Sequence, residues 1–195
     1  MKLTEQRLKK LIQEAMSELL SERRVWGIGG GGMLICCLED KTVFLQKRGS
    51  GVTGGAGQWA FPGGGIHPEE YDLKRDGVKA GHYETPISPD MQLPDNSPRF
   101  LEIAFEELHE EHGWTLNNYK VVDEYIYNFE GFKYKTLILV IPLSEKEAYS
   151  GKDYEDEFSW EHGGEGWFTW PELQKVDLFF GFTPELMSKL EKVIG

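Results

Sequence analysis

Two long runs rich in β-branched and aromatic residues, Val121–Phe129 and Tyr134–Ile141, are joined by Glu130-Gly131-Phe132-Lys133. That pattern predicts a hairpin of two long strands. Met33–Leu38 and Thr42–Lys47 read as shorter strands around the turn Glu39-Asp40-Lys41. Gln58–Phe61 reads as another strand, halted by Pro62-Gly63-Gly64-Gly65, and Trp167–Thr169 as one more. Gly49–Gly57 is a loop. Helical spacing is confined to a few places. Leu101, Ala104, Phe105, Leu108 and His112 form a stripe between Ser97-Pro98, which suits a helix start, and Gly113, which stops it. Pro171–Lys175 predicts a short helix, and Thr183-Pro184-Glu185 opens a last one that runs to about Val193. Strands with two helices to cover them predict an α/β or α+β sandwich.

Composition bounds what such a sandwich can do. Hydrophobic residues make up 39% of the 195 and aromatics 13%, which is enough for a packed core. Lys and Arg number 21 against 33 Asp and Glu, a net charge of −12. An anionic surface without a basic cluster argues against broad binding to nucleic acid or to an acidic membrane surface. Residues 3–23 repeat apolar side chains at three- and four-residue spacing and predict an amphipathic helix. Residues 1–25 carry six bases and four acids, so the remainder stands near −14. The chain therefore divides into an N-terminal helix, 1–25, and a main domain, 26–195. The apolar stripe of the helix is expected to dock on that domain or on a second copy of the chain, which leaves a homodimer open. Cys36 and Cys37 are adjacent, so on a strand they point to opposite faces and pair poorly with each other. They read as buried thiols of a soluble cytoplasmic protein, with no apolar run long enough to span a bilayer.

The chemistry lies in Glu107, Glu110 and Glu111, at i, i+3 and i+4 of the helix. These positions share a face, expected to lie opposite Leu101, Ala104 and Leu108. Three clustered carboxylates repel one another, and a hard divalent cation such as Mg²⁺ relieves that repulsion with oxygen ligands. A solvated acidic helix face is the alternative reading. Two other patterns are set aside. Gly27, Gly29 and Gly32 match G-x-G-x-x-G, but a helix precedes them and a strand follows, the reverse of a dinucleotide-binding turn. His109 and His112 lack the i, i+4 spacing of the helical zinc motif.

The glycine turn and the helix together resemble the signature of the Nudix hydrolase family. Gly64 is followed after five residues by Glu70, and Glu107-Leu108-His109-Glu110-Glu111-His112-Gly113-Trp114 matches the second half of the signature. Phe44-Leu45-Gln46-Lys47-Arg48, Gln58-Trp59-Ala60-Phe61-Pro62-Gly63-Gly64 and Glu161-His162-Gly163-Gly164-Glu165-Gly166-Trp167-Phe168 are similar to the family's flanking strands and later acidic loop. The likeness covers about residues 26–175. It implies an α/β/α sandwich and hydrolysis of a nucleoside diphosphate linked to another group by water attack on phosphorus, with Mg²⁺, or Mn²⁺, as cofactor. It further implies metal ligation by Glu107, Glu110 and Glu111, with backbone groups near Gly64 beside the metal and Glu70 supporting the turn. Glu161 is the first choice for general base or auxiliary ligand, and Glu165 the second. Arg48 is placed to hold a phosphate, and among the aromatic residues Trp59 and Phe129 are placed to stack on the organic part of a small nucleotide substrate.

Two departures from the signature stand out. Residues 71–105 separate Glu70 from Glu106, 35 positions where the family has seven, which defines an insertion at about 71–98. Such a loop is thermodynamically tolerable, and it is either a lid over the site or an inert excursion. Glu106 occupies the place of an arginine that in the family orients the carboxylates, with Arg99, Lys47 and Arg48 available to compensate. The alternative to an enzyme is a nucleotide-binding or regulatory module that keeps the fold with weak catalysis. ADP-ribose, another nucleotide sugar and a nucleoside triphosphate all remain open as substrates.

Overall fold

The computed structural model describes residues 29–50, 55–66, 93–129, 132–149 and 162–195. The elements run β1 (Gly29–Cys37), β2 (Thr42–Arg48), β3 (Trp59–Ala60), β4 (Gly63–Ile66), α1 (Arg99–His112), β5 (Lys120–Phe129), β6 (Phe132–Ile141), α2 (Leu143–Ala148), β7 (His162–Thr169), α3 (Trp170–Leu173) and α4 (Pro184–Ile194). The predicted hairpin is present as β5 and β6, antiparallel from Lys120 opposite Val140 to Phe129 opposite Phe132. β6 then runs parallel to β1 along its whole length, from Gly29 beside Lys133 to Cys37 beside Ile141.

β1 and β2 pair only where Ile35–Cys37 meets Thr42–Phe44, and beyond that they diverge. The chain from Trp59 to Ile66 fills the gap. β3 pairs with Gln46 and Lys47 of β2, and β4 pairs with Gly29–Gly32 of β1. Between them the Pro62 carbonyl accepts a hydrogen bond from the Met33 N–H at 2.9 Å. β3 stops before Pro62, as the sequence predicts, but the glycines that follow do more than end it. Gly63–Ile66 is itself a strand, because the diverging edge of β1 offers it a second ladder. β7 lines the other side of β2, from Thr42 opposite Thr169 to Arg48 opposite His162.

Period-two alternation separates two cores. Met33, Ile35, Cys37 and Phe44 face one side with Ala104 and Leu108 of α1. Leu34, Cys36, Val43 and Leu45 face the other with Leu186, Leu190 and Ile194 of α4. Helix, mixed sheet and helix thus form the expected sandwich. The two cysteines are free and point to opposite faces, and burial pushes the Cys36 thiol up to about 12, which keeps it protonated and unreactive. α4 begins as the sequence predicts, with Pro184 in its first turn and the Thr183 hydroxyl accepting from the Leu186 N–H at 3.3 Å. α2 has no buried residue and no apolar stripe to announce it. Polar ties hold it instead: the Glu39 carboxylate accepts from the Leu143 N–H at 3.2 Å, and Lys146 reaches Asp40 and the Thr42 hydroxyl. The predicted N-terminal helix and most of the insertion, up to residue 92, lie outside the described residues. No helix among the described residues is long and apolar enough to cross a membrane.

Candidate active site

Helix α1 carries the acidic residues, and its ends are fixed much as the sequence predicts. The Ser97 hydroxyl accepts from the Arg99 N–H at 3.4 Å. At the other end Gly113 takes the left-handed conformation, φ 62°, and donates to the His109 carbonyl at 2.8 Å, a turn that a side chain would oppose. Its buried residues are Phe100, Ile103, Ala104, Leu108 and His112. Leu101 is 37% exposed, so the predicted stripe is displaced around the helix. The acidic face moves with it. Glu107 and Glu111 turn toward the sheet, while Glu110 stays exposed.

Glycine allows this. A β-carbon on Gly31 would lie 2.1 Å from the Phe100 carbonyl oxygen, so helix and strand backbones approach as closely as a bare strand permits. A β-carbon on Gly64 would lie 1.8 Å from Glu107 Oε1, so the carboxylate occupies the space that any larger residue would fill. On the opposite face of the same strands Tyr134 lies against Gly30 and donates to the Gly31 carbonyl at 3.0 Å. Burial raises the pKa of its hydroxyl, the charges of Glu111 and Glu107 raise it further, and Arg48 opposes them.

Glu111 belongs to a chain of polar groups that enters the core. Its Oε2 accepts from Gln46 Nε2 at 3.0 Å. The other end of the Gln46 amide bonds to His112 Nε2, and His112 Nδ1 lies 2.9 Å from Glu165 Oε2. Tyr149 donates its hydroxyl to the same carboxylate at 2.8 Å. The His112 side chain is 0% exposed, with its ring edge-on to Phe44 at 5.1 Å, and the Tyr149 ring stacks on Trp114 at 4.3 Å. A buried polar chain of this kind is stable only when its members satisfy one another.

No family model and no curated protein matches the sequence. Solved structures do. The Nudix domain of Shewanella oneidensis NrtR, crystallised with ADP ribose, superimposes with a TM-score of 0.51 at 12% identity, over 85% of this chain and 87% of that one. The chain has the Nudix fold. The Nudix hydrolase RenU from M. smegmatis, at 17% identity and TM-score 0.46, covers 86% of this chain and 84% of its own, and a C. elegans Ap4A hydrolase, at 15% and 0.45, covers 84% and 93%.

Within the Nudix fold, Glu107 lies against Gly64 and Glu111, one turn on, reaches Gln46 of β2, while Glu110 is exposed. The expectation that all three lie opposite Ala104 and Leu108 is corrected, since Gly64 leaves room for Glu107 and Gln46 draws Glu111 toward the sheet. Arg48 follows an irregularity in the pairing of β2 with β7, and its guanidinium lies 4.6 Å from the centre of the Phe179 ring. The Trp59 ring packs edge-on against Phe168 at 4.6 Å, with the Lys47 ammonium 6.0 Å away. Glu70, Glu161 and the side chain of Phe129 lie outside the described residues. Arg99 bonds Glu106 at 3.0 Å and Glu102 at 3.3 Å, so the anion in the arginine position is paired along its own helix.

Gln46 and Tyr149 were not among the predicted site residues. Gln46 carries only a weak local signal, a polar side chain directly after the apolar run Val43–Leu45, and Tyr149 carries none. No three acidic, histidine or cysteine side chains among the described residues form a ready metal cluster. The donors present nevertheless suit a hard cation: carboxylate oxygens on successive turns, next to a glycine that leaves them room.

Proposed function

We propose that this chain is a Mg²⁺-dependent pyrophosphohydrolase that cleaves a nucleoside diphosphate linked to another moiety. The observation that carries the reading is the pair Glu107 and Glu111, one turn apart on α1 and turned toward the sheet of a Nudix fold, the first over Gly64 and the second onto Gln46 of β2. Glu107 and Glu111, joined from the rim by Glu110, would hold the cation. When bound, Mg²⁺ neutralises phosphate charge and polarises phosphorus toward attack by water. Arg48 holds a phosphate oxygen through its guanidinium, and its placement over Phe179 limits the directions it can take. Glu161 removes the proton from the attacking water. The acidity of the domain fits this reading, since a substrate bearing several negative charges would arrive with its metal.

ADP-ribose heads the substrate panel, because the Nudix domain with the TM-score of 0.51 was crystallised with ADP ribose. Incubation with Mg²⁺ or Mn²⁺, followed by identification of products, is the test. Nucleoside monophosphate with a sugar phosphate indicates a nucleotide-sugar substrate, and nucleoside monophosphate with pyrophosphate indicates a triphosphate. Glu111→Gln is expected to lower turnover at least about 10²-fold. Metal-dependent nucleotide binding without turnover across the panel would replace the enzyme with a binding module.

A further inference from the structure

The chain of polar groups behind Glu111 has a direction that fixes each member. Glu111 presents a carboxylate, so the end of the Gln46 amide that faces it must be the NH₂ donor, at 3.0 Å. The Gln46 carbonyl then accepts from His112 Nε2 and the Glu165 carboxylate accepts from Nδ1, so both ring nitrogens of His112 donate. Were the amide reversed, its oxygen would oppose the Glu111 carboxylate. His112 cannot swing away to permit that. It is buried, its ring is held against Phe44, and Nδ1 is tied to Glu165. Glu165 is in turn anchored by Tyr149, whose hydroxyl lies 2.9 and 2.8 Å from its two oxygens and whose ring stacks on Trp114. Gln46 itself is 5% exposed, in mid-strand between β3 and β7.

We propose that Gln46 is a positioning residue for Glu111, and that the buried run His112, Glu165 and Tyr149 locks the amide in the one orientation that donates to that carboxylate. The inference takes Glu111 as a metal ligand and so rests on the proposed function. Its own content is that Glu111 is aimed from the sheet side by a neutral donor rather than left to choose among rotamers on an exposed helix. A ligand held this way has lost its rotational freedom before the metal arrives, with the Gln46 donor on one lone pair of Oε2.

Two measurements on the full chain test this. Crystal structures of the metal-free protein and of Gln46→Leu read the carboxylate directly: one Glu111 rotamer is expected in the first and several in the second. Mn²⁺ binding followed by electron paramagnetic resonance is expected to weaken about tenfold in Gln46→Leu and by a smaller factor in Tyr149→Phe. Tyr149→Phe keeps the ring stack, and it serves as the Mn²⁺ test should Gln46→Leu fail to fold. A single, unchanged Glu111 rotamer in Gln46→Leu, or Mn²⁺ affinity unchanged in both variants while Glu111→Gln loses it, overturns the proposal. If the wild-type chain binds no Mn²⁺ yet Glu111 loosens in Gln46→Leu, the positioning inference stands and the pyrophosphohydrolase reading falls.

Discussion

The helices on the two faces of the sheet are of opposite character. α4 closes its face with Leu186, Leu190 and Ile194 on Leu34, Cys36, Val43 and Leu45, side chain against side chain. α1 begins in the same way, with Phe100, Ile103 and Ala104, but in its second half it turns Glu107, Glu111 and His112 inward. On the α4 side the two layers are kept apart by what fills the space between them. On the α1 side the backbones meet at Gly31, and a carboxylate fills the space over Gly64. A strand stripped of side chains lets a helix present polar groups to a sheet without sealing them in an apolar core. Both faces therefore carry an apolar core, but only the α1 face also turns carboxylates toward the sheet among the described residues.

The contrast can be broken by substitution. Leu190→Ala should remove about 3 kcal/mol of unfolding free energy, since Leu190 is fully buried and its neighbours cannot collapse completely into the space. Urea denaturation measures it, and a loss below about 1 kcal/mol would mean that the α4 face is not the packed one. Gly31→Ala should cost about 2 kcal/mol by overpacking, because the added methyl meets the Phe100 carbonyl, backbone that moves only if the whole helix shifts. Gly64→Ala meets the flexible end of Glu107 instead and should change stability by only about 0.5 kcal/mol. Its effect should appear in turnover, lowered about 10²-fold by the displaced carboxylate. Equal stability losses in the two glycine variants would refute the distinction between a backbone approach and a site cradle.

The same contrast explains what could be read from the sequence. The α4 face was the more legible: Met33–Leu38 read as a strand with Cys36 and Cys37 on opposite faces, and Thr183-Pro184 marked the start of the helix. Where glycine replaces side chains, alternation disappears. Gly29–Gly32 and Gly63–Gly65 therefore showed no strand pattern, and only pairing to β6 and to each other makes them strands. The face of α1 was misjudged for a related reason. Apolar periodicity favoured Leu101, but a glycine strand exerts no apolar pull at the far end of the helix, so Phe100 and Ile103 set the rotation and bring Glu107 and Glu111 inward. The i, i+4 spacing of Glu107 and Glu111 was legible, being local. The support of Glu111 was not, because Gln46 is 65 positions from Glu111 and His112 is 53 from Glu165, beyond any sequence window.

Electrostatics divides the two faces as well. On the α1 side polar ties run into the core, from Glu111 through Gln46 to Glu165, whereas α4 is tied only at its rim. There Lys189 bonds both oxygens of Asp123 on β5, at 2.8 and 3.0 Å. That ammonium, first among its neighbours, lowers the Asp123 pKa. A carboxylate whose pKa is lower folded than unfolded adds stability at every pH above its unfolded value. The contribution fades as the pH falls below about 4, through the folded value. With the Asp123 side chain 38% exposed, solvent screens the pair, and the contribution at neutral pH should be only a few tenths of a kcal/mol. Asp123→Asn should therefore lower stability slightly at pH 7 and leave it unchanged near pH 2, where the wild type has already lost the pair. Salt should narrow the difference at pH 7. A difference that persisted at pH 2 would mean that Asp123 acts through packing, and the rim of α4 would then belong with its apolar face rather than with the charged ties across the sheet.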